Sequence, residues 1–244
     1  MMASPSQTPP SQTLNEFLDL LEREWTLPVA CQDQCHPPET CSCLRHIVHV
    51  EALRAWWMRT TSETAGYTRL RRILDDLEPA DHQLFPVEQK WLSGDYSCLT
   101  VFSLLLKQGR HYLINAFHDA GMNDKNLEYE TQNSDSSLRR SLAKVANRGD
   151  IDRILEDFQR ERWAYCPLKL EMHMDRYLQS TRIIPPFCRK IKLGEKGGTA
   201  SIYWVTVQER LVTDDSLKNA IQDSAYHDED FGKVSTKTSF RTRI

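Results

Sequence analysis

Hydrophobic residues recur at helical spacing along much of the chain before residue 183. Leu14, Phe17, Leu18, Leu21 and Trp25 make one apolar face on a helix that opens at Thr13. Thr13-Leu14-Asn15-Glu16 fits a capping box, in which the Thr hydroxyl and the Glu carboxylate satisfy the first free backbone N–H groups. Pro28 follows the end of that face. Ile47, Val50, Leu53, Trp56 and Trp57 predict a second helix over residues 46–62, with the tryptophan pair as core and rim. Leu70, Ile73, Leu74 and Leu77 predict a third over 67–77, ended by Pro79. A short helix or turn over 84–93 is broken by Gly94-Asp95. Residues 97–120 are the most apolar stretch and predict a buried helix interrupted near Gly109. A polar loop over 121–135 precedes two helices, 136–147 and 150–163, joined at Gly149, and one more over 168–182.

The period changes after Pro185-Pro186. Ile191 and Leu193 alternate with charged residues, a glycine-rich bend follows, and Ile202, Trp204, Thr206 and Val207 make a β-branched and aromatic run. Strand, glycine-bearing turn, strand is the pattern of a hairpin. Residues 213–244 are polar, carry no long apolar face, and are expected to be mobile unless something packs on them.

The whole is therefore expected to be mainly α. A disordered tail spans 1–12, a helical domain 13–182, and a β-hairpin segment with a polar tail 183–244. Composition changes little in this picture. Hydrophobic residues are 40% and charged residues 27% of 244, ordinary for a chain that buries a core. A net charge of -3 provides no global field toward nucleic acid or anionic lipid. The short basic runs Arg139-Arg140 and Arg189-Lys190-x-Lys192 read as solvated faces, so neither nucleic acid nor membrane is an expected partner, whereas a protein partner for the helical domain is. The opening residues lack the basic and apolar regions of an export signal, and the seven cysteines are odd in number. Both predict a reducing intracellular setting, cytoplasmic or nuclear, rather than a disulfide framework.

Two segments carry candidate chemistry. The first is the bend Gly194-Glu195-Lys196-Gly197-Gly198-Thr199-Ala200-Ser201-Ile202. A backbone that wraps phosphate exposes N–H groups and bears no large side chain where the phosphate approaches. Gly194, Gly197, Gly198 and Ala200 are the candidate ATP contacts. Set against G-x-G-x-x-G-x-V, with Ile202 on the final Val, Gly197 falls on the second glycine, Ala200 on the third and Glu195 on the first. An ordinary hairpin with a flexible tip also fits. The run from Pro186 to Val205, with Arg162-Trp163-Ala164-Tyr165-Cys166-Pro167-Leu168 upstream, resembles the linker and kinase-domain start of a family of filamentous-fungal protein kinase-like proteins. The likeness spans about residues 160–212.

That resemblance implies ATP binding and, in the parent fold, transfer of a phosphoryl group to a Ser or Thr hydroxyl. It also implies a Lys on a third strand. Val234-Ser235-Thr236-Lys237 has the shape of that strand, which makes Lys237 a candidate, although a solvated Lys in a polar tail fits as well. Asp230-Phe231-Gly232 spells the kinase metal triplet but has no His-Arg-Asp before it, so it is read as coincidence. The chain is thus expected to be kinase-like, truncated and without catalysis.

The second segment is the cysteine-rich loop. Cys31, Cys35, Cys41 and Cys43 offer four sulfurs, with His36, His46 and His49 nearby and Pro37-Pro38 stiffening the turn. Zinc takes four such ligands tetrahedrally, and a loop poor in apolar residues gains order by binding it. Free thiols or a Cys31–Cys43 disulfide also fit. The rival to the kinase-like reading is accordingly a helical, zinc-stabilised interaction module with no nucleotide role.

Overall fold

The computed structural model describes residues 12–29, 45–60, 68–77, 92, 97–128, 132–172, 183–184, 187–192, 200–223 and 235–243. The protein is mainly α, and it divides into two compact units that interleave along the chain. The first comprises residues 1–25 and 50–162, the second 26–49 and 163–244. The β1–β2 hairpin described below and the segment from Trp163 onward group with the C-terminal strands.

The first unit is helical. Helix α1 (Gln12–Leu20) runs into a π-helical turn at Leu21–Trp25. Thr13 lies inside α1 and is buried. Thr13 is thus not the N-cap that a capping box with Glu16 requires. The Glu16 carboxylate accepts the Trp56 indole N–H at 3.3 Å and pairs with Arg69 at 3.1 Å. The same Arg69 sits 4.8 Å over the Trp56 ring. Helices α2 (Val50–Met58) and α3 (Arg69–Leu77) follow. Phe17, Trp25, Trp56, Trp57 and Phe102 form a continuous chain of ring contacts with centroids 4.9 to 6.2 Å apart. Such contacts add to the area these rings bury. Both Trp56 and Trp57 are core, and the Trp57 indole donates to Ser103 Oγ at 2.9 Å.

Helix α4 (Leu99–Lys107) is buried on every side over residues 99–106, as its unbroken apolar run requires. It ends in a Schellman turn. Gly109, at φ 68°, donates to Leu106 O at 3.0 Å, and Arg110 N donates to Leu105 O at 2.8 Å. A 3₁₀ turn at His111–Leu113 leads into α5 (Ile114–Asp119), which closes the same way at Gly121. Helices α6 (Gln132–Leu142) and α7 (Arg148–Glu161) complete the unit, with Phe117 against Phe158 at 4.7 Å. No helix among the described residues is long and apolar enough to cross a membrane.

The second unit carries the strands. β1 (Thr26–Val29) pairs antiparallel with β2 (Arg45–Val48), so residues 45–48 are strand where a helix from residue 46 was expected. Ile47 packs with Trp163, Ile184 and Leu211, and Leu27 lies against that cluster. β3 (Phe187–Lys192), β4 (Ala200–Gln208) and β5 (Ser235–Arg243) form an antiparallel sheet in that order. Helix α8 (Asp215–Asp223) lies between β4 and β5 in the chain. The Asp214 carboxylate accepts Leu217 N–H at 2.9 Å, which caps it. Leu217 then packs with Leu170, Val207 and Val212. The segment read as polar and mobile therefore contains a helix anchored by one leucine and a nine-residue strand.

Candidate functional site

The hairpin of β3 and β4 is the framework of the candidate site. Its register runs from Phe187 opposite Val207 to Lys192 opposite Tyr203, with a bulge between Phe187 and Arg189. A bulge adds a residue to one strand and tightens the local twist. Val207 is fully buried in the second unit's small core, which fixes β4 against Leu170 and Val212. The base of the hairpin is further held by Leu170 N–H donating to Leu211 O at 2.8 Å and Thr213 N–H donating to Leu170 O at 3.0 Å.

Of the residues expected to meet ATP, Ala200 opens β4, directly after the glycine-rich segment. Gly194, Gly197 and Gly198 lie outside the described residues. Lys237 is on β5, opposite Thr206, whereas Ala200 stands opposite Arg243. The two candidates are therefore not brought together. Six strand residues separate positions 200 and 206, about 20 Å at the usual rise. Lys237 occupies the far end of its strand from the bend.

Cys31, Cys35, Cys41 and Cys43 also lie outside the described residues, as do Asp230, Phe231 and Gly232. The ends of the cysteine-bearing connection are visible: Val29 pairs with Arg45, so it joins two strands rather than two helices. Among the described residues no group of three or more His, Cys, Asp or Glu side chains is placed to hold a metal. The described cysteines, Cys98 and Cys166, are in no disulfide. Burial pushes the Cys98 thiol up to about 12, and the nearby Asp124 carboxylate adds to the rise. That is the opposite of what a nucleophilic thiolate needs.

β5 extends well beyond the four residues Val234 to Lys237 that have the shape of a third strand in the sequence. Its residues, Ser235 to Arg243, alternate Thr and Ser with basic positions and contain one large apolar residue, Phe240. The regular β-branched alternation of Thr236, Thr238 and Thr242 with Lys237 and Arg241 was the available signal. Comparison with known proteins returns no matching family model, no matching curated protein and no matching solved structure.

Proposed function

We propose that the second unit is a kinase-like opening hairpin, and that this chain binds a nucleoside triphosphate there without transferring phosphate. The observation that supports this reading is the antiparallel pairing of β3 and β4 on either side of the glycine-rich segment, with a third antiparallel strand beside β4. Strand, glycine-rich bend, strand, strand is the order in which a kinase N-lobe begins.

Binding and catalysis separate on physical grounds. Wrapping phosphate needs only amides and room, which Gly197, Gly198 and Ala200 supply in sequence. Transfer needs a Lys on the phosphates, an Asp at the acceptor hydroxyl and metal ions held in place. Lys237 stands about 20 Å along the sheet from Ala200, too far to share one phosphate chain with the bend. The sequence contains no His-Arg-Asp.

Titration of the purified chain with a non-hydrolysable ATP analogue and magnesium tests the reading. Weak saturable binding is expected, abolished by Gly197→Val/Gly198→Val and unaffected by Lys237→Ala. Incubation with labelled ATP and a generic Ser/Thr acceptor is expected to yield no labelled protein. Absence of analogue binding removes the nucleotide role and leaves the helical interaction module as the better reading. Labelled product removes the non-catalytic part.

A further inference from the structure

The corner where α6 gives way to α7 holds a surface cavity of about 540 Å³, within the first unit. Arg139, Ala143, Ala146, Arg148, Ile151 and Asp152 line it. Ile151 is buried and gives the cavity an apolar side, and the two alanines leave it open because neither has an atom beyond Cβ. Arg139 on α6 pairs with Asp152 on α7 at 2.6 Å, with side chains 53% and 69% exposed. Val145, in the turn between the helices, is exposed as well.

Charge at this corner is unbalanced. Residues 139–153 carry Arg139, Arg140, Lys144, Arg148 and Arg153 against Asp150 and Asp152, in a chain of net charge -3. Both carboxylates are paired, Asp152 with Arg139 and Asp150 with Arg153 at 3.3 Å. Arg140, Lys144 and Arg148 are exposed and form no ion pair with a described residue. The run Arg139-Arg140, a solvated face by its sequence, is thus one side of a cationic corner that Lys144 and Arg148 continue beside an apolar recess.

We propose that this corner docks an acidic segment of a partner protein, with an aliphatic side chain in the cavity and flanking carboxylates on Arg140, Lys144 and Arg148. Charge complementarity selects the occupant, because the three uncompensated cations edge a recess with apolar lining. A small-molecule site encloses most of its ligand, whereas four of the six lining residues here are exposed. Nucleic acid needs a broader basic field without two carboxylates inside it. A peptide laid along the corner needs neither enclosure nor a broad field. Its aliphatic anchor loses water in the cavity, and its carboxylates fix direction and register. The proposal does not depend on the nucleotide reading, since every residue in it belongs to the first unit.

The test is fluorescence anisotropy of a labelled peptide, with Asp and Glu residues flanking a central Leu-Val pair, titrated with the full chain. Arg140→Gln/Lys144→Gln/Arg148→Gln removes the unpaired cations. Ala143→Phe fills the cavity from an exposed position, and Arg23→Gln/Arg59→Gln/Arg71→Gln removes the same charge from exposed positions elsewhere in the unit. Circular dichroism and urea unfolding confirm that each variant is folded. Saturable binding to the wild type is expected, weakened about tenfold by the corner triple and by Ala143→Phe, and under about threefold by the control triple. Absence of saturable binding to the wild type overturns the proposal. Equal weakening by the two triples does so too, since it marks unspecific charge attraction, and so does full affinity in Ala143→Phe, which leaves the cavity without a role. A mixed-sequence RNA oligonucleotide is titrated alongside. If RNA binds where the peptide does not, and the corner triple abolishes it, the corner serves nucleic acid and the proposal falls.

Discussion

Removal of the Asp124 carboxylate is expected to be among the most damaging single changes in the first unit. α4 is buried over its whole first turn, so water cannot satisfy its leading N–H groups. Its own N-cap position is Cys98, which makes no side-chain cap bond. The amides are met from elsewhere. Ser97 Oγ accepts Leu99 N–H at 3.2 Å. Asp124 accepts Thr100 N–H at 2.9 Å and Val101 N–H at 3.2 Å. Arg54 donates to the same carboxylate at 2.6 Å, and the Asp124 side chain is only 6% exposed.

Asp124→Ala leaves two buried amides without acceptors, at roughly 1–3 kcal/mol each, so a loss of about 2–6 kcal/mol is expected. Asp124→Asn keeps an acceptor oxygen but gives up the negative charge at a helix N-terminus, a loss of about 1 kcal/mol. Arg54→Ala removes a partner that is 45% exposed and is expected to cost under about 1 kcal/mol. Urea unfolding followed by tryptophan fluorescence reports on this unit, because Trp25, Trp56 and Trp57 lie in its core. The expected order of damage is Ala, then Asn, then the Arg54 variant. An Asp124→Ala protein within about 0.5 kcal/mol of wild type would refute the capping argument. So would an Arg54→Ala loss equal to that of Asp124→Ala, because the ion pair would then carry the effect.

Three further outcomes are expected. Gly109→Ala should lower stability by about 1 kcal/mol in the same assay, since φ is 68° and an added Cβ meets nothing within 4 Å; the cost is backbone strain alone. Cys98 should stay unmodified by a maleimide at pH 8 in the folded chain and react once urea is added, as peptide mapping would read, because its buried thiol is held far above the ordinary range. His111 is held below the ordinary imidazole value by burial. The unfolded chain therefore takes up the proton first, so His111 should cost the wild type stability as pH falls below about 6.5. A His111→Gln variant should show a flatter decline between pH 7 and 5, and an equal decline would show that His111 is not the group responsible.

What the sequence reveals divides according to how far each residue's partners lie along the chain. α3, the break at Gly109 between α4 and α5, and α7 are set by short-range spacing and turn chemistry, and the hydrophobic pattern locates them closely, whereas α6 starts inside the expected loop and ends at Leu142. The capping box at Thr13 is equally local and yet fails. Thr13 sits one residue inside the helix start, and Glu16 meets the Trp56 indole, 40 residues away, and Arg69. Ile47 and Val48 read as the start of a helix because residues 50–57 continue the helical period, but their short β-branched run pairs with Thr26 and Leu27. Asp124 is invisible to pattern reading for the same reason: its partners are 24 and 70 residues distant. The candidate site lies at this limit. β3 and β4 are legible as a hairpin because they are adjacent and alternate. β5 is a strand by virtue of partners 27 to 43 residues earlier, and only its register shows that Arg241 and Arg243, not Lys237, stand beside the start of β4. A motif read by shape, such as Val-x-x-Lys, identifies a residue type without its distance from the ligand, and at a phosphate site distance decides whether a cation contributes.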